Sequence, residues 1–289
     1  MSRVAVIVVN YNATGEARRC LETAAADLTA AMGDDWSAIV VDNASSAGDA
    51  RSLAALPKTQ VIANAHNAGF GAAVNQAARS TNAPLLWLLN PDCEVVPGAV
   101  AALVDTLARH PDCAIAAPQL LNADGTTQES ARGEPDAWTG LFGRHSILTK
   151  FFPRARIARQ NLRAADLVAS QADSAPVDWV MGAAMLVRRE PFDLVGGFDE
   201  RFFLYWEDAD LCRRLRSRGL TTRYVPRARV VHTGGASART RPREATFAFH
   251  RSAYLYYAIH VVPSRWHPAR WFAWIALRAR AWWRARGST

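Results

Sequence analysis

Along its first half the chain alternates short unbroken apolar runs with longer stretches where apolar residues recur every three or four positions. Residues 3–9, 37–41, 60–63 and 84–89 form apolar runs that stop at polar or small residues, and each reads as a buried strand. Between them, 16–31, a short piece near 49–55, and 72–80 carry helical periodicity. Strands buried on both faces and joined by helices predict βαβ units, hence an α/β fold with a mostly parallel central sheet flanked by helices. Pro97 is placed to open a further helix in its first turn, ending near His110-Pro111.

The second half is less regular at first. Leu120-Leu121-Asn122-Ala123-Asp124-Gly125-Thr126 reads as a strand, an Asp-Gly turn and a returning strand. Residues 138–165 are basic and mixed in pattern. From Val177 the pattern recovers: a short strand, Gly182, a strand at 184–188, a Gly196-Gly197 turn, and a helix over 206–218 closed by Gly219. Two short strands at 222–225 and 229–232 follow. On the 206–218 helix, Leu211 and Leu215 stand three and seven positions after Asp208. Asp208 is therefore expected on the inward stripe, and the Asp210–Arg214 pair on the outward one.

Composition narrows the class. A chain of 289 residues that is 50% hydrophobic can bury a substantial core. Its four cysteines are scattered without C-x-x-C, which predicts free thiols in a reducing compartment. The opening apolar run is too short for a signal peptide, and no window of about 18 apolar residues predicts a membrane span.

The net charge of +8 is concentrated at the end. After Glu244 there is no acidic residue, yet seven arginines and five of the ten tryptophans follow. Arginine with tryptophan favours the headgroup zone of a membrane, so 265–286 reads as an interfacial helix with Pro268 in its first turn. Packing on its own domain is the plainer alternative, and nucleic-acid binding the least favoured. The apolar stretch 271–277 covers only about 10 Å of helix, so it can lie on a bilayer core of roughly 30 Å but not cross it.

Three polar clusters stand at or just after consecutive strand ends, the edge where open α/β sheets bind ligands. In Val40-Val41-Asp42-Asn43-Ala44-Ser45, the Asp42 carboxylate can accept the imide N–H of uracil or thymine, or cap the next helix. In Asn67-Ala68-Gly69-Phe70-Gly71, the glycines can bring backbone N–H groups close to an anionic ligand. Asn75, one turn on, can bind a sugar hydroxyl or tie down the loop. In Leu89-Asn90-Pro91-Asp92, the proline fixes a turn that holds Asp92 where it can bind Mg²⁺ or Mn²⁺, with substrate phosphates supplying further oxygens.

Farther on, Asp208 at a helix N-terminus suits a general base. His232 after the last strand can complete a metal shell or serve structure alone. Arg239, Arg241 and Arg243 can close over a diphosphate or remain solvated.

Together these residues resemble the family-2 inverting glycosyltransferases of the GT-A fold, and more narrowly their bacterial rhamnosyltransferase branch. The resemblance rests on Val8-Val9-Asn10-Tyr11-Asn12, the three clusters above, Gly196-Gly197-Phe198-Asp199-Glu200-Arg201-Phe202-Phe203 and Tyr205-Trp206-Glu207-Asp208-Ala209-Asp210-Leu211. It runs from about Arg3 to Ser237 and is weak across 138–176, which reads as a variable acceptor-side insertion.

The resemblance implies that Asn10, Asn12, Asp42, Asn43, Asn67, Gly69, Gly71, Asn75, Asn90, Asp92 and Gly182 line the nucleotide-sugar site. It further implies that Asp92 and His232 hold Mg²⁺ or Mn²⁺, and that the Glu207-Asp208 pair is catalytic with Asp208 as base. Asn90 stands where a strict D-x-D motif has its first aspartate. The implied donor is dTDP-L-rhamnose ahead of UDP-glucose and UDP-galactofuranose. The implied acceptor is a polyprenyl-diphosphate-linked or other saccharide in cell-envelope glycan synthesis.

The expected layout is a GT-A domain over 1–240 and a basic helical region over 241–289. The expected location is the cytoplasm, on the inner face of the membrane. A non-catalytic nucleotide-sugar-binding protein is the rival reading, opposed by the intact Asp42, Asp92 and Asp208. A dehydrogenase lacks its G-x-G-x-x-G after the first strand.

Overall fold

The computed structural model describes residues 2–46, 52–134, 163–234 and 242–286. The first half folds as its pattern predicts. Strands β1 (Val4–Asn10), β2 (Trp36–Asp42), β3 (Thr59–Ala63) and β4 (Leu85–Leu89) alternate with helices α1 (Thr14–Met32) and α2 (Phe70–Arg79). β5 (Cys93–Val95), α3 (Ala99–Arg109) and β6 (Cys113–Leu121) follow. Pro97 lies outside α3, which starts instead behind Gly98 in the left-handed conformation at φ 88°. Asp27 of α1 reaches across to hold the exposed start of α3, accepting from Gly98 N at 2.5 Å and Val100 N at 2.8 Å. A carboxylate there satisfies two otherwise orphan donors.

The second half contributes β7 (Ala131–Arg132), α4 (Arg163–Ala169), β8 (Ala175–Val177), β9 (Trp179–Val180), β10 (Ala184–Arg188) and α5 (Arg189–Leu194). Then come α6 (Glu207–Arg216), β11 (Thr221–His232), α7 (Pro242–Tyr256), which runs on as a π-helical turn over Tyr257–Val261, and α8 (Pro268–Arg286). The two strands expected at 222–225 and 229–232 are one, with its register broken between Val225 and Arg229. The Asp-Gly turn at 122–126 is present, but β6 starts seven residues earlier than the sequence pattern suggests.

The main sheet has the order β3-β2-β1-β4-β10-β6-β11-β5, with β8 also paired to β11. β10 runs antiparallel to both β4 and β6, while β1–β4, β6 and β11 all run one way, so six of the nine strands are parallel. Apolar side chains fill both faces: Val4, Val6 and Val8 enter the layer under α1 and α3, and Ala5, Ile7 and Val9 enter the layer under α2. The fold thereby brings the ends of β1, β2, β4, β6 and β11, and the start of antiparallel β10, to a single edge. Most of 138–165, together with Arg239, Arg241 and part of the short helix expected near 49–55, lies outside the described residues.

Candidate active site at the carboxyl edge of the sheet

β1 and β2 end in register at Asn10 and Asp42. Both are buried, and Asn10 Nδ2 donates to Asp42 Oδ1 at 2.7 Å. Ser45 N donates to Asp42 Oδ2 at 3.2 Å, so the carboxylate is fixed at the edge without an ion pair among these contacts. Asn12, at φ 52°, turns the chain and accepts Ser46 N at 2.9 Å. An aspartate held in this way keeps spare lone pairs for a ligand donor.

The glycines of the second cluster serve packing. Gly69 sits at φ 89°, and a Cβ there would stand 2.5 Å from the Phe203 carbonyl oxygen. A Cβ on Gly71 would stand 2.9 Å from that of Phe198. The 198–203 loop thus lies directly on the start of α2, and Phe70 N donates to Phe203 O at 3.0 Å. Protein backbone takes the close approach at Gly69, and the Phe198 side chain takes it at Gly71.

The amides around these glycines are occupied too. Asn43 Nδ2 donates to Asn67 Oδ1 and Gly69 O, and its Oδ1 accepts Asn64 Nδ2 and Ala68 N. Asn75 grips the far loop, donating to Phe198 O at 2.9 Å and Glu200 Oε1 at 3.0 Å while accepting Phe198 N at 2.9 Å. Of its two sequence readings, tying down the loop is the one the contacts support.

β4 ends at Leu89, and Asn90 closes the turn, its N–H bonding Ala183 O at 2.8 Å and its carbonyl taking Cys93 N. Asp92 follows, buried beside the end of β11, where His232 pairs with Cys93. His232 Nε2 lies 3.4 Å from Asp92 Oδ1. Gln128 grips the same histidine: its Nε2 donates to His232 O at 2.6 Å, which turns its Oε1 to the ring Nδ1 at 3.0 Å. That orientation assigns the hydrogen to Nδ1 and leaves the Nε2 lone pair facing Asp92.

A carboxylate beside an imidazole is a pair of groups that suits a divalent metal. Cys93 is near enough to join them. Its thiol, however, bonds Ala183 O at 3.2 Å, and burial raises its pKa well above the ordinary value. That leaves Asp92 and His232 as the pair with atoms turned toward each other.

Asp208 opens α6. Gly182 N, just before β10, donates to its Oδ2 at 2.8 Å, and Ala209 N donates to Oδ1 at 2.7 Å. The turn before it is strained, since Tyr205 and Trp206 both hold positive φ, 68° and 70°. Non-glycine residues pay about 1–3 kcal/mol for such conformations and tend to hold them at working sites. α7 braces the turn. Phe249 meets the Tyr205 ring edge-on at 5.7 Å, Tyr256 lies 5.2 Å from the Trp206 ring, and Ser252 Oγ bonds Leu204 O at 2.9 Å.

Glu207 is buried beside Asp208, and one of its oxygens, Oε2, has no hydrogen-bond partner. Burial first, and the Asp208 charge second, push its carboxyl up to about 8. On α6 the outward placement expected for Asp210 is corrected, whereas Asp208 faces Gly182 at the start of β10. Asp208 is partly exposed, while Asp210 is buried and bridges Arg214 Nε and His260 Nε2, each at 2.7 Å. Arg214 in turn holds Val195 O and Gly197 O, so Asp210 is a strut between α6, the glycine turn and the C-terminal helices. Gln128, Asp210 and α7 are parts of this site that sequence reasoning did not single out.

With this geometry in place, comparison with known proteins is direct. A family model described as "Glycosyltransferase like family 2" matches residues 2–258. An N-acetylglucosaminyl-diphospho-decaprenol L-rhamnosyltransferase of Mycobacterium tuberculosis is 32% identical over 269 residues, covering 88% of this chain and 83% of that protein. A Pyrobaculum calidifontis mannosyltransferase solved with GDP-Man and Mn²⁺ superposes with TM-score 0.56 at 18% identity, over 99% of this chain and 76% of that one. GalNAc-T7, solved with UDP, GalNAc and Mn²⁺, gives 0.58 at 15% identity over 97% of this chain, which spans about half (54%) of that longer protein. At such identities the two structures speak for the fold, the GT-A arrangement of a central sheet flanked by helices.

Proposed function

This chain belongs to glycosyltransferase family 2, and on that premise we propose that it moves L-rhamnose from dTDP-L-rhamnose to a lipid-linked sugar, inverting the anomeric centre. It is a glycosyltransferase; the sugar, the acceptor and the residue roles are the proposal. The observation that carries it is the convergence of Asp42, the Asp92–His232 pair and Asp208 on one sheet edge. The rhamnosyltransferase relative, which covers most of the chain and is named for a lipid-diphosphate acceptor, supports the choice of sugar and acceptor.

In this reading Asp42 receives the imide N–H of the pyrimidine, kept in place by Asn10 and Ser45. Asp92 and His232 would hold a divalent cation, whose chemistry there is to neutralise charge gathering on the departing diphosphate. An imidazole ligand favours Mn²⁺ over Mg²⁺, which prefers oxygen alone. Asp208 accepts the proton of the acceptor hydroxyl as that oxygen bonds to the anomeric carbon. The bond from carbon to the diphosphate oxygen breaks on the opposite face, releasing dTDP. Glu207, protonated at neutral pH, places no second negative charge beside the base.

Work on a lipid-linked acceptor places the enzyme at a membrane, on the inner face of the cytoplasmic bilayer, with region 241–289 as its contact. Among the described residues no helix is long and apolar enough to cross a membrane, which fits peripheral attachment. A donor panel tests the proposal. The purified protein with Mn²⁺ should release diphosphate product fastest from dTDP-L-rhamnose, and a preference for a UDP-hexose would reassign the sugar.

A further inference from the structure

Helix α8 packs with its small residues inward. Ala273, Leu277, Ala281 and Ala285, spaced every four positions, are buried, and α7 is the neighbour beneath. The opposite arc carries Trp271, Phe272, Ile275, Trp282 and Trp283, between 54% and 72% exposed. A helix that packs by alanines and turns its bulk apolar side chains to the outside has a second partner, because contiguous exposed apolar surface of this kind marks an interaction site.

The charge on the helix identifies that partner. α8 contains five arginines and no acidic residue. The guanidinium of Arg278 lies 4.8 Å over the Trp274 ring and that of Arg286 3.3 Å over the Trp282 ring, so two of the positive charges sit against the tryptophans themselves. A second copy of the helix would set arginine against arginine, since the helix itself carries no acidic residue. A surface offering hydrocarbon flanked by negative headgroups satisfies both features at once. At 19 residues the helix is roughly 28 Å long, enough to lie across several lipids.

We propose that the outward face of α8 is a docking site for the surface of an anionic bilayer, with the tryptophans at headgroup depth and Arg278 and Arg286 on lipid phosphates. This deepens the proposed function and rests on it only for the lipid-linked acceptor. The bracing of the Tyr205–Trp206 turn by α7, on which α8 packs, then ties the docked element to the base.

The test is sedimentation of the full chain with phosphatidylcholine vesicles, with and without phosphatidylglycerol. It needs neither donor nor acceptor, so its outcome is independent of the sugar-transfer reading, which a soluble acceptor analogue tests separately. The wild type should pellet with phosphatidylglycerol vesicles. The triple variant Trp271→Ser, Trp282→Ser, Trp283→Ser should stay in solution. The double variant Arg278→Gln, Arg286→Gln should bind roughly thirty-fold more weakly, which keeps the test decisive even if the triple variant fails to fold. A wild type that stays in solution overturns the proposal. So do variants that bind as tightly as the wild type, and so does a wild-type dimer that the triple variant converts to monomer.

Discussion

Gln128 holds His232 by both ends of one amide, donating to its backbone carbonyl at 2.6 Å and meeting its ring Nδ1 at 3.0 Å. The two residues are 104 positions apart and are joined because the Asp-Gly turn after β6 folds back onto the end of the neighbouring, parallel β11. The clamp fixes both the ring's rotation and its tautomer, and so decides which lone pair faces Asp92. Partners of this kind commonly contribute 10–100-fold in metal affinity.

Gln128→Ala should therefore weaken Mn²⁺ binding by about ten-fold or more. In ¹⁵N-histidine spectra of the metal-free protein, it should also loosen the Nδ1–H preference of His232. A titration followed by Mn²⁺ paramagnetic resonance checks the first effect. Unchanged affinity together with an unchanged tautomer would remove Gln128 from the metal site.

Glu207 makes stability depend on pH. The folded chain keeps this proton up to about 8, whereas an unfolded glutamate loses it near 4.5. Between those values only the folded state binds the proton, so raising the pH costs stability, at most about 1.4 kcal/mol per unit. Chemical denaturation from pH 5 to 8 should show wild type losing ground steadily against Glu207→Gln. Parallel curves would show that Glu207 is ionised in the folded protein.

Asn75 is predicted to be a structural tie. Asn75→Ala deprives the 198–200 loop of three hydrogen bonds and should cost about 3 kcal/mol in denaturation experiments. The KM for donor should change little in the protein that remains folded. A large rise in KM at unchanged stability would return Asn75 to the sugar site.

What the sequence revealed follows from which contacts are local. The βαβ half was legible because buried parallel strands are continuous apolar runs, and the three polar clusters stood at their ends. β6 was only partly read, since Cys113–Gln119 mixes small residues and a proline. On α6 the periodicity misplaced Asp210, because Arg214, His260 and the glycine turn supply it with partners that no helical pattern contains. Gly69 and Gly71 were recognised as positions of close approach, but the approaching group, the Phe203 carbonyl and the Phe198 side chain, comes from more than a hundred residues away. Gln128 left no sequence signal because its role exists only where the turn after β6 meets β11.

The most direct test of the central claim is single-turnover transfer by Asp208→Asn with dTDP-L-rhamnose and a lipid-linked acceptor. The amide keeps the side chain's shape and one of the two bonds from Gly182 N and Ala209 N, but cannot take a proton. Transfer should fall by about 10²–10⁴-fold, while donor binding, measured by calorimetry, stays within a few-fold of wild type. Transfer at the wild-type rate would contradict the account, because the proton of the acceptor hydroxyl would then be going elsewhere.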